Sequence, residues 1–202
     1  MTTRCFATAL VSAVLQATSA PAGSAPLPAS LREYRVDFGH SIVEFSIDFA
    51  FSRVKGRFTS ANGTILYDEA HPERSSVTMV IDAKSIDTGW PHRDEHLRTA
   101  DFFDVETHPE MTLRSTGISE RDGDYVLAAD LTIAGVTRPV EFALEFDGVT
   151  QDPFGNTKAG FEASTEINRS DWGLSFNMAL ETGGVLVSEK IRIDLDVQLV
   201  RS

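Results

Sequence analysis

The chain has 202 residues, of which 42% are hydrophobic and 24% charged, and its formal net charge is -12. This length and composition predict a soluble globular fold with a sizeable core, built as one domain or at most two small ones. The negative charge disfavours nucleic acid and anionic membrane surfaces as partners, because like charges repel at long range.

The N-terminus has the pattern of a secretory signal peptide. Met1 to Arg4 is a short basic region, Cys5 to Leu15 is an apolar stretch, and residues 18–20 are small, as a cleavage point requires. The apolar stretch is too short to span a bilayer. We therefore expect a signal peptide over residues 1–20, with cleavage as late as residue 25 as the alternative.

Removal of the signal peptide leaves a leader and one domain. Residues 21–33 are rich in Ala, Pro and Ser in their first part and predict a flexible leader. Residues 34–202 form the expected mature domain, which would be periplasmic or secreted. The only cysteine, Cys5, would leave with the signal peptide, so we expect no disulfide in the mature protein.

The first part of the domain predicts a series of β-strands. Ser41 to Phe49 alternates strictly between apolar and polar residues, which is typical of a half-buried strand. Shorter runs at 53–58, 64–67 and 76–82 continue the series. Asn62-Gly63 is a turn signal and predicts a turn between the second and third of these strands.

The stretch from Ser85 to Pro109 fits neither a strand nor a plain loop. Pro91 to Ala100 predicts a short helix, because Pro91 suits the first helical position and Pro109 stops any continuation. Large apolar residues alternate with charged ones here. The segment is typical of a cap over an apolar cavity, or of a helix packed over one end of a sheet with its charges in water.

Alternation resumes after the predicted helix. It predicts strands at 110–115, 125–133, 140–146, 158–168 and 188–199, with turns at 122–123, 135–137 and 153–156 and an irregular connection at 169–174. About eight strands therefore exist, each with one apolar and one polar face, which indicates an antiparallel sheet with one wet side. Periodicity leaves a closed barrel and a two-sheet sandwich open, and also leaves a filled or a hollow interior open.

No pattern of residues predicts catalysis or a metal site. His92 and His96 would share a helix face, but the zinc-protease pattern HExxH is absent. The GxSxG motif of serine hydrolases and a glycine-rich phosphate loop are also absent. Asp101 and Asp104 are a weak candidate for an acid–base pair. We therefore expect that the protein is not an enzyme and has no metal site.

Short motifs recur in a fixed order between Tyr34 and Leu199. They include Tyr34-x-x-Asp37, Gly56-x-Phe58, Ser85-Ile86-Asp87-Thr88-Gly89, Arg93-Asp94-x-His96-Leu97, Asp101-Phe102-Phe103-Asp104, Gly135-Val136-Thr137-Arg138-Pro139-Val140 and Asn168-Arg169-Ser170-Asp171-x-Gly173. With them the chain resembles the YceI-like family, lipocalin-like secreted proteins linked to polyisoprenoid binding. The resemblance implies an all-β fold: an extended eight-stranded antiparallel barrel with a short helix in the 91–100 connection.

The resemblance also implies a long isoprenoid chain threaded into the barrel interior. The side chains expected to line this cavity are Phe45, Phe58, Ile81, Trp90, Leu97, Phe103, Phe142, Phe161, Ile167 and Trp172. We expect Arg93, Asp94 and His96 at the cavity mouth. For Arg93 and Asp94 the alternative is structural, a pair that pins the helix to the barrel.

The expected function is binding of a polyprenyl compound or isoprenoid quinone, for storage or transport in the cell envelope. The alternatives are a periplasmic enzyme acting on such a lipid and a solid-core structural or stress-response module. We expect no cofactor other than the bound lipid or quinone, and no nucleic acid. A membrane quinone-linked protein is an expected donor or acceptor, and a homodimer an expected assembly. The connection at 181–187 departs from the shorter polar turn of many relatives.

Overall fold

The computed structural model describes residues 30–178 and 186–202. The expected signal peptide and residues 181–185 of the departing connection lie outside the described residues. Eleven strands and one α-helix are present within them. They are β1 (Leu31–Val36), β2 (Ile42–Phe49), β3 (Ser52–Phe58), β4 (Ala61–Asp68), β5 (Ser76–Asp82), β6 (Ile86–Asp87), α1 (Pro91–Leu97), β7 (Glu110–Arg121), β8 (Asp124–Ile133), β9 (Val136–Gln151), β10 (Thr157–Asn168) and β11 (Val187–Arg201).

The strands close into an antiparallel barrel. Neighbours follow the order β1-β4-β5-β7-β8-β9-β10-β11, and β11 pairs back onto β1. β1 pairs with residues 199–201 of β11 and β2 with residues 187–196, so β1 and β2 lie end to end along one long strand. β3 and β6 extend the wall at the β2 end. The eight-stranded barrel is confirmed, and the sandwich alternative is wrong.

Bulges explain why β7 and β9 continue beyond the C-terminal ends that alternation predicts; β9 also begins at Val136, inside the predicted 135–137 turn. The pairing of β7 with β8 shifts between Ser115 and Gly117, and the pairing of β9 with β10 shifts beside Gly160. A bulge adds one residue to one strand and breaks the period-2 pattern, so an apolar–polar count stops there although the strand continues. Gly148, with φ of 125°, supplies the backbone conformation that the second bulge needs.

The predicted turn at Asn62-Gly63 is wrong. Both residues lie inside β4, where Gly63 pairs with Met79 of β5. A Cβ atom at position 63 would lie 2.7 Å from the carbonyl oxygen of Thr78 and 3.0 Å from Cγ of Met79. The glycine is therefore needed for close packing of two strands rather than for a turn.

The ordered domain begins earlier than the sequence predicts. Residues 31–33, expected in the flexible leader, belong to β1 and pair with residues 66–68 of β4. At the other boundary, α1 ends at Leu97 rather than at Ala100. The backbone folds back there, since the amide of Phe103 donates to the carbonyl of Leu97 at 3.1 Å. Within residues 30–178 and 186–202, no helix has both the length and the apolar character needed to cross a membrane.

Candidate functional site in the barrel interior

Two apolar cavities lie inside the barrel. The helix-side cavity, of about 210 Å³, is lined by residues of α1, of the segment that follows α1 and of the segment that follows β10. The far cavity, of about 230 Å³, is lined by residues such as Tyr67, Tyr125 and Phe161. An eight-stranded barrel has an interior just wide enough to fill with side chains or to hold one slender ligand. This barrel is incompletely filled.

Most of the predicted cavity residues line the helix-side cavity. These are Phe45, Phe58, Ile81, Leu97, Phe103, Phe142, Ile167 and Trp172. The ring centroid of Phe58 lies 5.9 Å from those of Phe45 and Phe103, so one aromatic cluster joins β2, β3 and the segment after α1. The buried Trp172 donates from Nε1 to the carbonyl of Leu131 at 3.0 Å, which satisfies its polar atom. The wall of the helix-side cavity is therefore apolar, and its aromatic rings are held in place by these ring contacts and this hydrogen bond.

Phe161 lies at the opposite end of the interior. It lines the far cavity together with Tyr67 and Phe146, and the three ring centroids are 4.9 to 5.3 Å apart. Burial raises the pKa of the Tyr67 hydroxyl, with smaller effects from the nearby carboxylates and tyrosines. Tyr67 was not predicted as a cavity residue, although its place in the apolar alternation of β4 marks it as inward-facing.

Trp90 was expected in the cavity and lines neither of the two. It immediately precedes α1, and 57% of its surface is exposed. The guanidinium of Arg93 lies 5.5 Å from its ring centroid, which is a cation–π contact. The prediction failed because an apolar side chain in a connection carries no alternation to show which way it faces.

Asp94 was expected at the cavity mouth, and the structure places it elsewhere. It is 6% exposed and does not line the helix-side cavity. Its Oδ1 accepts hydrogen bonds from the backbone N–H and the hydroxyl of Thr88 at 2.9 and 2.5 Å. Thr88 follows β6 directly, so Asp94 ties α1 to the barrel wall, as the structural alternative stated.

Arg93 shares the same threonine and also reaches the cavity. Its Nε donates to the Thr88 hydroxyl at 2.7 Å and its Nη2 to the Thr88 carbonyl at 2.8 Å. Arg93 also lines the helix-side cavity. It therefore combines the structural role with a position beside the cavity.

His96 lines the helix-side cavity from the last turn of α1 and is partly open to solvent. Its Nε2 lies 3.0 Å from Oδ2 of Asp101, and its ring packs edge-on against Phe102 and Phe176. Within the part of the chain that the structure describes, no group of three or more His, Cys, Asp or Glu residues is placed to hold a metal ion.

Arg169 is a buried residue of this site whose role the sequence did not predict. It is 2% exposed and lines the helix-side cavity. Its guanidinium donates to the carbonyls of Ser188, Leu174 and Phe176, and to the carboxylate of Glu189. Leu174 and Phe176 line the same cavity, so Arg169 holds one wall segment in place. Arginine suits this role because its planar fork carries five donors.

Comparison with known proteins places this barrel in a family. The profile of the YceI-like domain matches residues 34–199. A UPF0312 protein of Pectobacterium atrosepticum is 35% identical over 172 residues, which are 84% of this chain and 86% of the relative. A UPF0312 protein of Vibrio cholerae is 34% identical over 155 residues, 75% of this chain and 82% of the relative.

Solved structures show the same fold. A YCEI protein of Campylobacter jejuni is 27% identical with a TM-score of 0.67, over 77% of this chain and 89% of that chain. BcnA of Burkholderia cenocepacia has a TM-score of 0.69 at 24% identity, over 81% and 98% of the two chains. A polyisoprenoid binding domain from Saccharophagus degradans has a TM-score of 0.63 at 16% identity, over 85% and 99%. On this sequence match and this shared barrel, the chain belongs to the YceI-like family.

Proposed function

We propose that the barrel interior binds a long-chain isoprenoid lipid, either a polyprenyl compound or an isoprenoid quinone. The observation that carries the proposal is the pair of apolar cavities enclosed by one closed barrel. Apolar cavities of this kind stay dry and accept apolar guests. Each methylene that moves from water into them contributes about 0.8 kcal/mol, so a long hydrocarbon chain gains a large favourable term.

The lining of the cavity and one structural neighbour support this kind of ligand. The helix-side cavity is walled almost entirely by aliphatic and aromatic side chains, which recognise a hydrocarbon by shape rather than by hydrogen bonds. The neighbour from Saccharophagus degradans is a polyisoprenoid binding domain on the same fold, which supports an isoprenoid as the guest. The presence of these cavities also argues against the alternative of a structural module with a solid core.

The polar end of the ligand would lie beside α1. Arg93 and His96 are the polar residues that α1 contributes to the helix-side cavity, and His96 is partly exposed. A head group placed there would keep its contact with water while the tail is buried. Asp94 takes no part in this head-group site, because its carboxylate is engaged by Thr88.

The cellular role is storage or transport of this lipid in the cell envelope. The signal-peptide pattern of residues 1–20 supports export. The proposed role includes no enzymatic step and no cofactor other than the bound lipid. Exchange with a membrane quinone-linked protein, and assembly as a homodimer, remain part of the proposal.

The test pairs lipid extraction with a blocking variant. Protein purified from its own host is analysed by native mass spectrometry, and we expect an isoprenoid adduct that organic solvent removes. Met111→Trp, at a buried position lining only the helix-side cavity, fills that cavity and is expected to abolish the adduct. Met178→Trp, at a position that is 57% exposed, is the matched control and keeps the adduct. An empty wild-type protein that also fails to take up added isoprenoids would overturn the proposal.

A further inference from the structure

Three side chains separate the two cavities. Met79 of β5, Leu113 of β7 and Leu195 of β11 line both the helix-side cavity and the far cavity. All three are buried, with exposed fractions of 2%, 3% and 7%. We call them the constriction residues. A single chain that fills both cavities has to pass between them.

Met79 is the constriction residue with the most freedom to move. Its side chain is unbranched and has three rotatable bonds, whereas the two leucines are branched. Met79 also faces Gly63 in the neighbouring strand β4. A Cβ atom at position 63 would lie only 3.0 Å from Cγ of Met79, so the methionine side chain already packs into the space that a side chain at position 63 would fill.

The leucines are held more firmly. Leu113 pairs with Met79 in the neighbouring strand on one side and with Leu131 in the neighbouring strand on the other. Leu195 pairs with Val43 on one side and Ala163 on the other. Each therefore sits in a row of side chains with no glycine opposite it. Of the three, only Met79 combines an unbranched, flexible side chain with a glycine opposite it.

We propose that Met79 is the residue that determines the length of isoprenoid chain the barrel accepts. Short chains occupy the helix-side cavity alone and leave Met79 in place. Long chains displace the Met79 side chain by rotation about its side-chain bonds and continue between Leu113 and Leu195 into the far cavity. This inference rests on the proposed function, because it assigns chain-length selection to the same interior.

The experiment compares one short and one long isoprenoid alcohol, farnesol and solanesol, on delipidated full-length mature protein. In Met79→Phe the rigid ring closes the passage while the helix-side cavity stays open. We expect farnesol to remain bound, with a smaller loss of affinity than solanesol, because Met79 is one of many residues that line the helix-side cavity. We expect solanesol affinity to fall at least about a hundredfold, because each methylene kept out of the far cavity costs about fourfold.

Two further variants keep the test decisive. Met111→Phe is the matched control, since Met111 is equally buried but lines only the helix-side cavity, and it should weaken both ligands together. Gly63→Ala places a methyl group against Cγ of Met79 and should push that side chain into the passage, which lowers solanesol affinity selectively without replacing a constriction residue.

The outcomes separate this inference from the proposed function. If wild-type protein binds both alcohols and their affinity ratio is unchanged in Met79→Phe and Gly63→Ala, chain-length selection by Met79 is wrong and the lipid-binding proposal stands. If wild-type protein binds neither alcohol, the lipid-binding proposal fails and this inference fails with it. Retained farnesol binding in Met79→Phe and Gly63→Ala shows that these two variants have folded, and circular dichroism provides the same check for Met111→Phe.

Discussion

The carboxylate of Asp94 accepts two hydrogen bonds from Thr88, one from its backbone amide at 2.9 Å and one from its hydroxyl at 2.5 Å. Arg93 donates to the hydroxyl and carbonyl of the same threonine. The adjacent residues Arg93 and Asp94 thus both anchor Thr88, the residue that follows β6. This network fixes α1 against the barrel, and α1 supplies Leu97 and His96 to the helix-side cavity.

Loss of the Asp94 carboxylate should destabilise the protein. In Asp94→Ala the amide and hydroxyl of Thr88 lose a charged acceptor at a buried site, which is expected to cost about 2 to 3 kcal/mol. Urea unfolding followed by circular dichroism measures the change. Glu95→Ala is the control, because Glu95 is exposed on the same helix, and it should change stability by less than about 0.5 kcal/mol. Unchanged stability with altered ligand affinity would instead place Asp94 at the cavity mouth.

Replacement of Arg169 should have a larger effect. Arg169→Ala leaves the carbonyls of Ser188, Leu174 and Phe176 without their buried donor, and about 3 to 5 kcal/mol of stability should be lost. Ligand affinity should fall as well, because Leu174 and Phe176 line the helix-side cavity. Thermal unfolding and a lipid-binding titration measure the two effects.

A neighbouring arginine provides the control for Arg169. Arg138 is exposed and donates to the carbonyl of Asp171, in the same short turn that begins with Arg169. Arg138→Ala should cost less than about 1 kcal/mol and leave ligand affinity unchanged. Equal losses for the two substitutions would show that the buried fork of Arg169 has no special role.

Ligand binding should be visible in the fluorescence of one tryptophan. The chain has two, of which Trp172 lines the helix-side cavity and Trp90 lies on the surface. We expect an isoprenoid titration to change the emission of wild-type protein and of Trp90→Phe equally, since only Trp172 contacts the guest. In Trp172→Phe the signal should disappear while native mass spectrometry still detects binding. Loss of the signal in Trp90→Phe would show that the ligand lies against the outer face of α1.

The carboxylate of Asp37 should make stability depend on pH in the acid range. Its hydrogen bond with His40, and a second with Lys158, hold the pKa of Asp37 below the ordinary value of 3.8, against an opposing effect of burial. A group whose pKa is lower in the folded state stabilises the fold above its unfolded pKa. That stabilisation is lost as pH falls through the folded pKa.

The matching variant is Asp37→Asn. The difference in unfolding free energy between wild type and Asp37→Asn should be present just above the ordinary pKa of 3.8 and should shrink as pH falls below it. Urea unfolding at a series of pH values measures this difference. A difference that stays the same through the acid range would show that the carboxylate stabilises the fold by geometry alone.

Much of the fold could be predicted from alternation because the direction of side chains in a strand has a period of two. The pattern in β2 and β11 placed Phe45 and Leu195 on the inner face, and both line the interior. Alternation failed where a bulge or a close approach changed the local rule. The bulge at Ser115 hid the second half of β7, and Gly63 suggested a turn where two strands pack closely.

The candidate site was predicted less completely. Apolar residues on strands were placed well, because a strand in a barrel has only an inner and an outer face. Trp90 and Asp94 lie at the start of the helical connection, where no period tells inside from outside. Arg169 was passed over as a functional residue because a single arginine in a connection is usually solvated, and only its three carbonyl partners show why it is buried.

By itself, the sequence determined that this protein is all-β, that each strand has one apolar face, and that its motifs are those of the YceI-like family. Only the tertiary structure decided that the apolar faces enclose two cavities and that Phe161 lines a different cavity from Phe142. It also decided that Met79 lies between the two cavities. The physical reason is that a cavity is made by residues distant in sequence. Its walls depend on strand order, register and closure, which hydrophobic periodicity does not encode.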